Sequence, residues 1–492
     1  MYFKRMTALK LSLSLTLMGG LLIGCSSGGK VAQETEKTTI KVMHYDERSF
    51  YSQYGMLFSA IHPEVEIEVI STQSLYNGQN TDMKKAMEDF IAEQKPDVLM
   101  LGTEDYRKMA AEGKLYNLEG FIKKDEYDLE GMIPGVVDFI KNESDGILYG
   151  LAPNFYSQAI FYNKDMFTKY GVTPPEDKMS WEQLLQLAAR FPTDGAKEDR
   201  VYGLKAGYNS NLYYFGQMIG SSLGLSYINP ASMQMTLNTD AWKSAYETAN
   251  NAIKSGSLYV EEPNNGMMGD GSYESYLLRD PFISGKVAMT IESNYLMDQI
   301  KEAKNVLKDK AIQNWDLVTV PVNPQSPDES SGMSISQIFA IDSQSTNPEA
   351  AWKFVSYING DEFARVTSKV QNGGFPVRSK YLTSEEGLNL SAFYSLKPSQ
   401  SNMYKDFDKL PQEFFMKFDG LTQQELQGVT DGNLSISEAL DNLQTKGQQL
   451  LLEENMKAEQ KKAEEGTSTE AKPDVAEQSI EGSMSSAASV SK

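Results

Sequence analysis

The apolar positions of this chain switch repeatedly between a period of two and a period near 3.6. Thr39 to His44 alternates and reads as a strand. Phe50 to His62 has helical spacing and runs into Pro63. Val65, Ile67 and Val69 alternate with Glu66 and Glu68, which predicts a strand with one solvated face. Met83, Ala86, Met87 and Phe90 fall at i, i+3, i+4 and i+7, so Asp82 to Gln94 is predicted as a helix, closed by Pro96. Val98 to Leu101 is continuously apolar, as in a strand covered on both faces, and a helix follows from Glu104. Strands alternating with helices in this way predict an α/β sheet with crossover helices.

The same alternation resumes after Gly150. Gln158 to Tyr162 reads as a strand and Asn163 to Phe167 as the opening of a short helix. Ser180 with Gln183 forms a capping box ahead of an apolar face of Trp181, Leu184, Leu185 and Ala188. Asn347 precedes Pro348 at a helix start, with Ala351, Phe354, Val355 and Ile358 as the buried stripe. A second capping box, Ser435 with Glu438, opens the last long helix, whose inner face is Ile436, Ala439, Leu440, Leu443, Leu450 and Leu451. Trp181, Trp242 and Trp352 sit in helix stripes and are expected in the core, and Trp315 is expected to pack.

Charge and composition narrow the chemistry. The chain has 67 carboxylates against 46 lysines and arginines, a net charge of −21. Lys4, Arg5 and Lys10 precede an apolar run from Leu11 that ends at Leu22-Ile23-Gly24-Cys25. This is the layout of a secretory signal, too short to span a bilayer. Without residues 1–24 the balance is 43 against 67, or −24, which disfavours nucleic acid and anionic lipid surfaces as partners. Cys25 is the one cysteine, so no intrachain disulfide and no cysteine-ligated zinc can form. The two histidines, His44 and His62, cannot build a three-histidine metal site. No phosphate-cradling glycine motif is present. The expectation is no catalytic centre, no metal and no cofactor.

Leu22 to Cys25 resembles the lipobox of bacterial lipoproteins, which implies lipidation of Cys25 and anchoring on the outer face of the cytoplasmic membrane. Further along, Pro96 to Met100 with Glu112 to Leu118, Gly150 to Asn154 with Ile160 to Phe167, Ser180 to Leu184, Phe282 to Met289 and Ala350 to Phe354 occur in one order. Together they resemble the bacterial extracellular solute-binding proteins of family 1, the sugar-binding type that serves ABC importers. The resemblance extends from Thr39 to Glu454. It implies an α/β, two-lobe periplasmic-binding-protein-like fold (type II), with ligand held in a cleft between lobes joined by hinge crossings. The expected division is residues 1–24 signal, 25–37 tether, 38–150 plus 286–333 lobe I, 151–285 plus 334–456 lobe II, and 457–492 a polar tail disordered at its end. Crossings are expected near Gly150 to Pro153, Phe282 to Met289 and Val320 to Ser334, where the glycines and prolines suit either hinges or ordinary loops.

A sugar presents hydroxyls that donate and accept and apolar C–H faces, so its site needs amides, carboxylates and aromatic rings. Where the family places its cleft, this chain has Tyr45, Asp46, Glu104, Asn154, Tyr156, Tyr213, Tyr214, Ser293, Asn294, Tyr295, Gly332 and Ser334. Tyr208 lies in the same tyrosine-rich stretch as Tyr213 and Tyr214, either of which could instead be core. Arg378 either faces the cleft or pairs with a carboxylate. The run Glu292-Ser293-Asn294-Tyr295 departs from the tryptophan that sugar binders often carry there, which leaves the individual sugar open. The implied function is capture of a carbohydrate, an oligosaccharide, by a monomer that delivers it to ABC permease subunits. The alternatives are a lipid-anchored glycosidase and a binding-only sensor or adhesin.

Overall fold

In a computed structural model of the chain, the residues described are 37–76, 82–194, 200–207, 211–260, 271–369, 374–384, 386–399 and 406–469. Cys25, the signal segment and Tyr208 lie outside them.

The first sheet has the order β2-β1-β3-β13-β4, from Val65–Ser71, Thr38–His44, Val98–Leu101, Ile338–Ile341 and Gly150–Leu151. β1 runs parallel to β2 and β3, while β13 is antiparallel to β3 and β4. Ile40, Val42, Val98, Leu99 and Ile338 to Ile341 are fully buried beneath Phe50, Phe58, Tyr106 and Phe354 from the flanking helices. β1 keeps its edge partner because alternate residues of β2, Glu66 and Glu68, take the solvated face. The helix Met83–Gln94, capped by Asp82, carries no fully buried side chain. It stands off the sheet over a cavity of about 730 Å3 that runs along this face of β1, from Thr39 to Met43, and of β3, from Asp97 to Leu101.

The second sheet is centred on the ten-residue β5 (Asn154–Asn163). Its core order is β10-β5-β9-β6, from Trp315–Thr319, β5, Val287–Ser293 and Tyr202–Ala206. The start of β5 also pairs with β12 (Met333–Ser334) and β14 (Phe375–Pro376). Small two-strand ribbons, β7 (Ile228–Asn229) with β8 (Gln234–Met235) and β11 (Glu329–Ser330) with β15 (Lys397–Pro398), complete the described strands. One face of this sheet packs on Trp181, Phe215, Trp242 and the two C-terminal helices, the other, which carries Phe161 and Trp315, on Phe282, Ile300 and Phe393. The helices Leu212–Ser222 and Asp240–Ser255 approach so closely that a Cβ on Gly220 would sit 2.2 Å from the Trp242 ring. All four tryptophans are buried, as their stripe positions predict. Both capping boxes form, Ser180 with Gln183 and Ser435 with Glu438.

Strand pairing corrects the expected division of the later chain. β9 and β10, within the 286–333 segment assigned to lobe I, lie in the second sheet. β13 and the helix Pro348–Ile358, assigned to lobe II, pack in the first. The physical reason is that a fully buried run such as Val287 to Ile291 is covered on both faces in either sheet, so its pattern does not name its neighbours. The crossings follow. The first, at residues 152–153, falls where expected. No crossing occurs near Phe282 to Met289, which is interior to the second lobe. The chain returns at residues 335–337, just past the expected segment, and crosses again after Pro376 to reach the Leu390–Phe393 turn in the second lobe. The final helix, Ile436–Thr469, also continues beyond Lys457, so the first part of the expected tail is helical.

Candidate functional site

The helical segment after β1 changes pitch: Glu47–Phe50 is α-helical, Tyr51–Gly55 is a π turn, and Met56–Ile61 is α-helical again. Such bulges occur often at functional sites because they rotate side chains off the regular stripe. Gly55 is required there, since a Cβ would lie 2.6 Å from the Phe50 ring. The bulge places Gln53 and Tyr54 at a cavity of about 120 Å3 between the lobes, with Asn154 and Tyr156 of β5, Gln337 of the return crossing, and Thr367. Tyr54 is buried and its hydroxyl donates to Gln337 Oε1 at 2.8 Å, so the first lobe is tied to the crossing strand. Burial raises the Tyr54 hydroxyl pKa far above its ordinary value and keeps it a donor. Thr103 adds a second tie, donating to the Ile335 carbonyl at 2.9 Å.

This cavity shares Thr367, Gly374 and Pro376 with a groove of about 740 Å3 between the second lobe and the first-lobe residues Thr367, Ser368, Tyr381 and Leu382. Asn294 and Tyr295, directly after β9, line the groove together with Tyr273, Tyr276, Asp298 and Glu302. Asn294 Oδ1 is buried with no hydrogen-bond partner among the described residues. A smaller pocket of about 240 Å3 abuts the groove at Tyr276 and Tyr295 and holds Ser293, Lys205, Glu292 and Asp280. In it the buried Lys205 ammonium is 2.9 Å from Glu292 Oε1 and 3.9 Å from Asp280 Oδ2.

Of the residues expected at the cleft, Asn154, Tyr156, Ser293, Asn294 and Tyr295 therefore lie along this cavity system. The others do not line it. Asp46 caps the helix Glu47–Phe50, its Oδ1 accepting from the Ser49 amide at 2.9 Å, and these hydrogen bonds hold its carboxyl below the usual range. Tyr45 and Glu104 are exposed. Tyr213 is buried and its hydroxyl donates to Asp419 Oδ1 at 2.7 Å; Tyr214 is beside it with the ring half-exposed. The Gly332 carbonyl accepts from the Gln158 amide, and Ser334 pairs with Tyr156 across strands. Arg378 resolves as the carboxylate partner: buried on the first lobe, it donates to the Asp128 side chain at 3.1 Å and to the Asn359 carbonyl at 2.9 Å.

The model of the family described as bacterial extracellular solute-binding protein matches residues 39–365. The chain belongs to that family. A binding protein of Brucella abortus (strain 2308) is 26% identical over 397 residues, covering 78% of this chain and 86% of its own length. The sn-glycerol-3-phosphate-binding periplasmic protein UgpB of Escherichia coli (strain K12) is 23% identical over 347 residues, covering 66% and 72%. Among solved structures, the sugar-binding protein MalE of Xanthomonas citri superposes with a TM-score of 0.58 at 18% identity, covering 86% of this chain and 100% of that one. The α/β two-lobe architecture is thus the one this solute-binding protein shares with its structural neighbours. No helix among the described residues is long and apolar enough to cross a membrane.

Gln53, Tyr54, Gln337, Thr367, Tyr273 and Tyr276 were not among the expected cleft residues. A π turn leaves no mark in apolar spacing, and a tyrosine-rich helix start reads equally as surface. Of these only Gln337 carries a positional signal, since it lies at the return crossing.

Proposed function

We propose that this solute-binding protein captures a carbohydrate, an oligosaccharide, between its lobes and hands it to the permease of an ABC importer. The lipid on Cys25 would hold it at the outer face of the cytoplasmic membrane. The observation that carries the reading is the joined cavity and groove. Its walls come from both lobes and combine neutral amides and hydroxyls with exposed tyrosine rings. That lining suits hydroxyl-rich rings with apolar faces. The polar groups line the junction of the lobes, so closing one lobe over a bound ligand would exclude water and complete its hydrogen bonds. No step breaks a bond in the ligand: the protein binds and releases.

The likeness to UgpB favours a second candidate, a polyol phosphate. The groove argues against it, because among the described residues Lys301 is its one cationic lining residue, with Asp298 and Glu302 beside it, and in the abutting pocket, which Arg279 also lines, the Lys205 ammonium is paired with Glu292. A phosphate site would concentrate arginine and lysine.

Isothermal titration of the purified protein against neutral oligosaccharides and sn-glycerol-3-phosphate separates the two. Binding of a neutral glycan, recovered intact, supports the proposal; binding of the phosphate alone overturns it. Steady hydrolysis of the bound glycan would establish the glycosidase instead. Growth on the bound sugar that survives deletion of the gene would favour a sensor. Cys25→Ala should move the protein from membrane to soluble fractions, and unchanged membrane retention would refute the lipid anchor.

A further inference from the structure

The helix Met83–Gln94 carries an apolar stripe that the core does not absorb. Met83, Ala86, Met87, Phe90 and Ile91 recur at helical spacing, yet none of its side chains is fully buried. An amphipathic helix ordinarily lays such a stripe on the core. Here Met87 and Ile91 line the first-lobe cavity of about 730 Å3, together with Met43 of β1, Met100 of β3 and Met109 of the helix Thr103–Ala111. No residue of this cavity also lines the cavity and groove between the lobes, so the two are separate. Two charged struts hold the helix off its neighbours. The Lys41 ammonium, reaching up from β1, donates to the Gln94 carbonyl at 3.3 Å. Lys108 of the helix Thr103–Ala111 pairs with Glu88. Collapse of the stripe onto the sheet would bury these groups at a desolvation cost, which keeps the space open. Its volume is that of a small-molecule site. Methionine side chains, flexible and polarisable, adapt to varied apolar shapes.

Charge decides the class of occupant. Three of the five lining lysines are committed: Lys41 to the Gln94 carbonyl, Lys108 to Glu88 and Lys114 to Glu112. An anionic ligand taking any of these would have to break a pair. Among the carboxylates, Asp97 is satisfied by the Lys41 amide at 2.8 Å and the Ser345 hydroxyl at 2.5 Å. Asp105 differs. Among the described residues no hydrogen bond reaches its carboxylate, and burial raises its pKa above the ordinary value in spite of Lys108 and Lys84 nearby. It nevertheless keeps accessible surface, which therefore belongs to the cavity wall and not to the outside of the molecule. A buried carboxylate is stabilised by a cation that donates to it. We propose that this first-lobe cavity binds an amphipathic primary amine, its hydrocarbon body against Met43, Met87, Ile91, Met100 and Met109 and its ammonium on Asp105. The bound amine would fasten the helix Met83–Gln94 to the rest of the lobe. The site is independent of the carbohydrate reading.

The test uses the full mature chain labelled at its methionine methyl groups with carbon-13 and titrated at neutral pH with n-octylamine, n-octanol and n-octanoate. Replacing Met87, Met100 and Met109 singly by leucine assigns their resonances. Octylamine should shift all three saturably, with a Kd about tenfold or more below those of octanol and octanoate, the size of a charge-assisted hydrogen bond. Asp105→Asn keeps the shape and removes the charge. It should weaken octylamine by about tenfold and leave octanol unchanged. Ala92→Trp, which fills the cavity from the helix side, should abolish saturable binding at unchanged melting temperature. Octanoate binding as tightly as octylamine, or full octylamine affinity in Asp105→Asn, would overturn the cationic head group. No saturable shift at these methionines with any of the three probes would overturn the site itself. Either result leaves sugar binding between the lobes untouched.

Discussion

Replacing Lys205 by methionine tests the organisation of the second lobe most directly. Lys205 is on β6, on the sheet face opposite Leu204 and Ala206, and its register partner on β9 is Thr290. Its ammonium and the Glu292 carboxylate are 2.9 Å apart with side chains 8% and 13% exposed, and Asp280 closes the group at 3.9 Å. Methionine fills nearly the same volume but removes the cation. Glu292 would then stay buried, unpaired and facing a second carboxylate. Breaking a buried pair on one side costs about 3–5 kcal/mol, because the remaining charge keeps its desolvation penalty without its partner. For a domain of this size that corresponds to a fall in Tm of roughly 6–20 °C. Replacing both residues, Lys205→Met with Glu292→Leu, removes the stranded charge and should recover most of the loss. Urea denaturation of parent, single and double variants measures the cycle. A single variant within 1 kcal/mol of the parent, or a double variant as unstable as the single, would refute the argument that this pair is a closed buried unit. Because Glu292 immediately precedes Ser293, Asn294 and Tyr295, the single variant should also weaken ligand binding by disturbing that turn.

Gly220→Ala should destabilise by about 1–3 kcal/mol, since its Cβ meets the Trp242 ring at 2.2 Å. Gly420→Ala, mid-helix with nothing within 4 Å, should instead stabilise by about 0.5–1 kcal/mol; the same sign for both would refute the packing account. His44 is buried with its pKa lowered chiefly by burial, so folding favours its neutral form. That contribution is complete above the unfolded pKa of about 6.5 and is lost as pH falls through the lower folded value. Melting temperature should therefore drop below pH 6.5, and His44→Asn should flatten that part of the profile. Asn294→Ala and Tyr295→Ala should each weaken binding of the cognate ligand by about 1–3 kcal/mol at unchanged Tm; full affinity in both would move the site elsewhere.

What the sequence made legible follows the range of each signal. Local signals carried over to the structure: the alternation of Thr39 to His44, the capping boxes at Ser180 and Ser435, and the buried stripe of Ala351 to Ile358 all appear as read. Pairing partners did not, because a strand's neighbours depend on contacts distant in sequence. Val287 to Ile291 looks the same in either lobe, and so β9 with β10 and β13 with Pro348–Ile358 were each assigned to the other lobe, while the two C-terminal helices lie in the second lobe as assigned. Site residues divided in the same way. Asn154, Tyr156, Asn294 and Tyr295, expected at the cleft, line the cavity and the groove near strand ends and crossings, whereas Asp46 caps a helix, a task a carboxylate after a strand performs as readily as ligand binding. Gln53 and Tyr54 were hidden, since regular helical spacing carries no trace of a π turn.

The division of the cavity between lobes gives the proposed binding cycle a direction. Tyr273, Tyr276, Tyr295 and the Asn294 turn belong to the second lobe alone. Gln53, Tyr54 and Thr367 belong to elements of the first. A ligand can therefore meet the exposed rings while the lobes stand apart, and only the polar groups of the first lobe distinguish the closed form. A ligand shifts a conformational equilibrium only by the contacts it makes in one state and not the other. The exposed rings would then set how much ligand is collected, and the cavity between the lobes would set whether collection leads to closure. A sugar that fits the groove but not that cavity should bind without reducing the radius of gyration. In that case it would occupy the protein as a competitive inhibitor of uptake, because the equilibrium moves towards closure only when first-lobe contacts are added.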